Sequence, residues 1–257
     1  MRLAFHHERN GVAMAPSRTE FPPLSGAVIA GMVVGPKVGG DFFHFLRANR
    51  CRVVFGLLDV AGRHEENQGI VDVVRQTFQE VGRERFNYEE INEADAMMEF
   101  CLELNLSLHR AAEGVRSCAA FLGCYNEELG TICYANAGHT PGLLRDDSGI
   151  TELPATGLPL GLFSASTYEA PTVALQPGAS LLLVSRGVVE AAHKKEEFGL
   201  ERVKLHFGGA PQDNANQIAT VILDAVQAFV HMPPEHNDVT ALALARASAG
   251  RSASTSA

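Results

Sequence analysis

Short, nearly continuous apolar runs alternate along this chain with longer stretches in which apolar residues recur every three or four positions. The runs at 27–34, 52–59 and 180–185 are bounded by polar or turn residues, the pattern of strands buried on both faces. Further strands are predicted at 117–125, 130–135 and 239–245, with Asn126-Glu127-Glu128-Leu129-Gly130 turning two of them into a hairpin. Three segments carry the helical period instead. The first, 66–81, places Ile70, Val71, Val74, Thr77, Phe78 and Val81 on one face. The second starts at Asn92, a capping residue, and turns Ala94, Met97, Met98, Cys101, Leu104 and Leu108 inward. The third follows Asp213 and Asn214, with Ile218, Val221, Ile222, Ala225, Val226 and Phe229 in register. The Met and Phe residues of these stripes belong to the core. Two helices in succession, then a meander of strands, then a late helix and a closing strand predict an α+β fold. Antiparallel sheets are flanked by helices in such an order, which does not suit a doubly wound parallel sheet.

Composition narrows the setting. At 257 residues and 46% hydrophobic, the chain can bury a sizeable core. One domain over 21–247 is expected, with 1–20 as a flexible leader and the Ser/Ala-rich 248–257 as a disordered tail. A net charge of −9 argues against nucleic acid or an anionic membrane as the partner. No apolar run reaches the roughly 18 residues that cross a bilayer. The residues after Met1 lack the apolar stretch of a secretory signal. Cys51, Cys101, Cys118, Cys124 and Cys133 show no CxxC spacing and read as buried reduced thiols, so a cytoplasmic location is expected.

Chemistry-bearing residues gather at strand ends. In Val38-Gly39-Gly40-Asp41 a double glycine lets the backbone turn tightly beneath a carboxylate. Leu57-Leu58-Asp59-Val60-Ala61-Gly62 ends an apolar strand in an acid. That placement is expensive unless the acid is paired or bound to a cation, the other reading being a turn or helix cap. Alone, His139 in Asn136-Ala137-Gly138-His139-Thr140-Pro141 reads as a turn residue before it reads as a base. Ser185-Arg186-Gly187 ends a third run, and Asn237-Asp238-Val239-Thr240 opens the last. Oxygen-rich clusters of this kind suit hard divalent cations. A Ser or Cys hydrolase lacks support, because Ser185 stands in no GxSxG elbow and no Cys has a nucleophile's context.

Taken together, VGGDFFHF (38–45), LLDVAGRH (57–64), YANAGHTPGLL (134–144), TGLPLGLF (156–163), LLLVSRGVVEA (181–191), EEFGLERV (196–203) and NDVTALAL (237–244) resemble the metal-dependent protein phosphatases, in particular the SpoIIE/RsbU-type phosphatase domain. The resemblance implies a four-layer αββα sandwich. It also implies two Mn²⁺ or Mg²⁺ ions that activate a bridging water against phosphoserine or phosphothreonine. By the same resemblance the bridging carboxylate falls on Asp59, a carbonyl ligand on Val60, and the acid that holds metal-bound water on Asp41. Phosphorylated regulatory proteins of the anti-sigma-factor antagonist type are the implied partners, a homodimer being compatible. The helical pair near 66–82 and 92–113 matches the region through which the family takes input. Without a sensor domain in this sequence, control is expected through a partner or oligomerisation.

Two implied ligand positions depart from the family. The Asp of its TDGVTEA motif is Arg186 here, and the first Asp of its DDIT motif is Asn237, with Asp238 as an alternative ligand if the register slips by one. His44 ends the GGDxxD pattern where the family has an acid. One reading puts the Arg186 guanidinium in the first metal site, paired with Asp59. The other points it to solvent or to a phosphate while one ion stays at Asp59. Function divides accordingly: a phosphatase with a weakened metal site, or a catalytically inactive pseudophosphatase that binds partners.

Overall fold

A computed structural model of the chain describes residues 17–19, 21, 23–35, 40–62, 64–230 and 238–248. The chain runs through β1 (Ser17–Thr19), β2 (Ala27–Val34), β3 (Asp41–Arg47), β4 (Arg52–Val60), α1 (His64–Phe86), α2 (Glu93–Ala111), β5 (Cys118–Asn126), β6 (Thr131–Ala137), β7 (Gly142–Asp146) and β8 (Gly149–Leu153). It continues through β9 (Thr172–Ala174), β10 (Ser180–Val184), α3 (Arg186–Val189), β11 (Ala192–His193), β12 (Glu196–Glu197), α4 (Gly199–Gly209), α5 (Ala215–Val230) and β13 (Val239–Arg246). One sheet has the order β1-β2-β13-β10-β7-β8 and the other β3-β4-β5-β6-β9, with every pairing antiparallel. β11 and β12 form a separate two-stranded ribbon.

Three apolar layers explain why the long strands read as unbroken hydrophobic runs. In β10, Leu181 and Leu183 enter the layer between the sheets, while Leu182 and Val184 pack beneath α4 and α5 with Val203, Phe207, Ile218 and Ile222. β13 divides likewise, with Leu242 and Leu244 between the sheets and Ala241, Ala243 and Ala245 toward α5. In β4, Phe55 and Leu57 face the inter-sheet layer, while Val54, Leu58 and Val60 meet Val74, Phe78, Met97, Phe100 and Leu104 of α1 and α2. Strands alternate by two, so a strand covered on both faces must be apolar throughout. The layers are α1/α2, the five-stranded sheet, the six-stranded sheet and α4/α5, which is the αββα sandwich.

The predicted elements were found with shifts at their ends. α1 runs from His64 to Phe86, further in both directions than 66–81, because its last turns bury Phe86 under Phe100. Asn92 caps α2 as expected, its Oδ1 accepting from the amides of Ala94 and Asp95. Ser17–Thr19, grouped with the leader on composition, pairs with β2 at Val33, Met32 and Gly31. β3 and the β7/β8 hairpin carry no simple apolar period, α4 shows only the narrow stripe of Leu200, Val203 and Phe207, and none of these was anticipated. Among the described residues no helix is long and apolar enough to cross a membrane.

Candidate active site

The acidic motifs converge where the inter-sheet layer meets the ends of β3, β4 and β13. Asp41 and Asp59 stand opposite one another in the β3/β4 register. Alternation puts both on the face of Phe43, Phe45, Phe55 and Leu57, between the sheets. The backbone there is held close, for Val60 N donates to Gly40 O at 3.2 Å. A Cβ added at Gly40 would lie 1.9 Å from Val60 O, so no side chain fits at that position. Across the gap, Thr240 Oγ1 donates to Asp41 Oδ2 at 3.2 Å. Thr240 is itself locked to the end of β10, because Ser185 N donates to Thr240 O at 2.9 Å and Thr240 N donates to Ser185 Oγ at 3.1 Å. Asp238 is buried beside them. Asn237 lies outside the described residues.

Crowding of the acids shows in their protonation. Burial first, then the charge of Asp59, pushes the Asp41 carboxyl up to about 7, with Asp238 acting in the same direction and the Ser185 and Thr240 hydroxyls opposing. Asp59 is also raised by burial, and here Arg186 is the largest opposing influence. Arg186 opens α3, directly after Ser185, and its Nη2 lies 3.6 Å from Asp59 Oδ2. Its Nε lies 3.8 Å from Glu190 Oε2 one turn on. Both contacts are ion pairs too long for hydrogen bonds, so the N–H fork of Arg186 keeps its donors. Its side chain remains 63% exposed.

Asp59 and Arg186 border a cavity of about 290 Å³ whose other walls include Ser117, His139, Thr140 and Pro159. The His139 turn is a built wall. Asn136 is fully buried and its Oδ1 accepts from His139 N at 2.8 Å, while Thr140 Oγ1 donates to Val184 O. Gly138 has φ +69, and any Cβ there would meet Pro159 at 2.6 Å, so glycine is required twice over. His139 Nδ1 lies 3.1 Å from Thr140 O, which can only accept, so Nδ1 carries the proton and Nε2 the lone pair. Burial lowers this imidazole to about 4, which keeps it neutral.

The structure brings Asp41, Asp59, Asp238 and Arg186 together and leaves His44 out. His44 lies on the opposite face of β3 from Asp41, edge-on to Phe78 at 5.0 Å, and accepts from Gln79 Nε2 at 2.6 Å. The Val60 carbonyl, at the end of β4, accepts from Asn67 Nδ2 at 3.1 Å. Sequence reasoning missed Asn67, Ser117 and Pro159 and gave Glu190 no part. The i, i+4 spacing of Arg186 and Glu190 was the available signal for the last.

Residues 49–247 match the family model described as stage II sporulation protein E (SpoIIE). The chain belongs to the SpoIIE family. It is 24% identical to the phosphoserine phosphatase RsbU of Bacillus subtilis over 234 residues, covering 87% of this chain and 65% of that protein. The chain spans only 20%, 37% and 65% of the lengths of three curated relatives it matches. Among solved structures it resembles the SiaA-PP2C domain of Pseudomonas aeruginosa, with TM-score 0.70 and 17% identity over 86% of this chain and 84% of that one. It also shares the fold of the catalytic domain of the serine/threonine phosphatase PstP, solved with two manganese ions, at TM-score 0.62 and 11% identity over 86% of this chain and 98% of that one. Membership makes this a SpoIIE-type phosphatase domain by family, and the solved structures share its PPM-type fold.

Proposed function

We propose that this SpoIIE domain engages phosphorylated regulatory proteins through the Arg186 cavity, with phosphoester hydrolysis weakened because a guanidinium stands where relatives use a metal. The observation that carries the reading is the 3.6 Å approach of Arg186 to Asp59, made by a side chain that stays largely open to solvent.

The donor set fits a two-ion centre poorly. Asp59 already faces a permanent cation, position 186 offers no oxygen, and among the described residues no group of three or more His, Cys, Asp or Glu is arranged to hold a metal. Arg186 instead delivers one positive charge to the Asp41, Asp59 and Asp238 cluster, and Asn237 removes one negative charge from the motif. The same guanidinium matches phosphate well. Arg binds oxyanions through two parallel N–H donors and holds its charge when partly desolvated. A phosphoserine or phosphothreonine entering the cavity meets this fork. A phosphorylated anti-sigma-factor antagonist is the partner type proposed.

A second reading keeps a one-ion phosphatase. It is favoured by Asp41, whose carboxyl holds a proton up to about 7 in a crowd of acids that a bound Mn²⁺ or Mg²⁺ would relieve. In that case Asp41, Asp59 and the Val60 carbonyl would hold the ion, which would supply charge neutralisation for the phosphoryl group.

Titration of O-phosphoserine into the wild type and Arg186→Gln, followed by NMR, tests the proposal. Saturable binding that falls about tenfold or more in the variant is expected. Equal affinity of the two proteins would overturn it.

A further inference from the structure

One wall of the cavity is a segment whose backbone is fixed and whose large apolar side chains nevertheless point outward. Cys118 and Leu160 exchange both backbone hydrogen bonds at 2.8 Å. The buried Asn105 of α2 accepts from Gly161 N at 2.8 Å and donates to Phe163 O at 3.0 Å. His109, also on α2, bonds Gly161 O at 3.1 Å. With its main chain tied at 160, 161 and 163 and Leu160 buried in the core beneath α2, this segment holds its other large apolar side chains at the surface. Leu158, Leu162 and Phe163 are left 52%, 43% and 55% exposed, on either side of the cavity residue Pro159.

A rigid surface with several large apolar groups beside a cavity marks a recognition surface more often than a chance exposure. Charge decides its occupant. The chain carries −9 overall, yet the cavity this rim borders holds the guanidinium of Arg186, whose ion pairs to Asp59 and Glu190 at 3.6 and 3.8 Å leave its N–H donors without hydrogen bonds to them. An anionic group is drawn into the cavity while apolar groups are drawn to the rim, so the complementary ligand is amphipathic on the scale of a few residues.

We propose that Leu158, Leu162 and Phe163 form a docking rim for a protein segment carrying phosphoserine or phosphothreonine with aliphatic or aromatic residues beside it. This rests on the phosphate-binding reading of Arg186 and adds the selectivity that Arg186 alone cannot supply, since a guanidinium treats every phosphoryl group alike. The rim side chains make no hydrogen bonds and are exposed, so their replacement leaves the fold intact.

Two fluorescein-labelled nine-residue peptides test this, each with a central phosphoserine, flanked on both sides by two Leu in one and by two Ser in the other. Anisotropy titrations use the wild type, Leu162→Ser/Phe163→Ser and Arg186→Gln. The wild type is expected to bind the Leu-flanked peptide about tenfold tighter than the Ser-flanked one. The rim variant is expected to lose that preference while binding free O-phosphoserine as the wild type does. A preference that survives in the rim variant overturns the proposal. If Arg186→Gln leaves both affinities unchanged, the phosphate reading fails and the rim proposal with it. If Arg186 matters and the flanking residues do not, the rim proposal alone falls. Sedimentation showing that the wild type dimerises through the rim, and that the rim variant is monomeric, would assign the surface to a second copy and overturn it as well.

Discussion

Arg186 Nη2 stands 3.6 Å from Asp59 Oδ2, joining the first turn of α3 to the end of β4 across the mouth of the cavity. The pair ties the six-stranded sheet to the five-stranded one at the point where three carboxylates meet. It is an ion pair with one partner largely hydrated, so its contribution to stability is small, about 0 to 1 kcal/mol. Arg186→Ala is therefore expected to leave unfolding in urea nearly unchanged. A loss above about 2 kcal/mol would mean that the guanidinium holds the fold together and is not available to a ligand.

Gly40 packs against the Val60 carbonyl more closely than any side chain allows. Gly40→Ala must push β3 away from the end of β4, and a loss of about 3 kcal/mol or more is expected, the range of a buried backbone clash. Urea denaturation checks it. A loss under about 1 kcal/mol would show that the two strand ends part easily.

Asn105 is the hub of the rim, satisfying Gly161 N, Phe163 O and Tyr168 OH from one buried amide. Asn105→Ala strands these groups, at a cost of about 1 to 3 kcal/mol. Hydrogen exchange should quicken at 160–163 well before the core strands respond. Unchanged exchange there would separate the rim's order from Asn105.

The histidines should weaken this protein in acid, against an opposite contribution from Asp41, whose raised carboxyl favours the folded state as pH falls. Burial, and secondarily Arg75, lowers His44 to about 4, and burial lowers His139 to about 4. A histidine whose folded pKa is depressed contributes stability that is full above its unfolded value near 6.5 and is lost as pH falls toward the folded value. Between pH 6.5 and 4 the buried His139 is expected to cost up to about 1.4 kcal/mol per pH unit, and the partly exposed His44 less, because solvent screens it. Thermal melts of His44→Gln should show a shallower decline than the wild type over this window. An identical decline would contradict the assignment.

Much of this architecture was legible in the sequence, because strands buried on both faces and amphipathic helices leave strong patterns. The runs that became β2, β4, β10 and β13 read as strands for that reason, and Asn92 read as a cap. β3 escaped because Asp41, His44 and Arg47 break its apolar run, although each has a structural task. α4 escaped because its N-terminus follows a two-residue ribbon and its apolar face is narrow, with Val203 and Phe207 buried. Within the site, the motif order placed Asp41, Asp59 and Arg186 together. Alternation along β3 could have excluded His44, which is three residues from Asp41 and so on the other face. Asn67, Asn105 and Asn136 were invisible, since a buried asparagine that ties loops to helices leaves no periodic signal.

The most direct test of the account is Mn²⁺ calorimetry on the wild type and on Arg186→Asp/Asn237→Asp, with p-nitrophenyl phosphate turnover measured on the same samples. The account predicts little or no Mn²⁺ binding and little turnover for the wild type, with both gained by the double variant. Two Mn²⁺ ions bound tightly by the wild type, with Mn²⁺-dependent turnover, would contradict it.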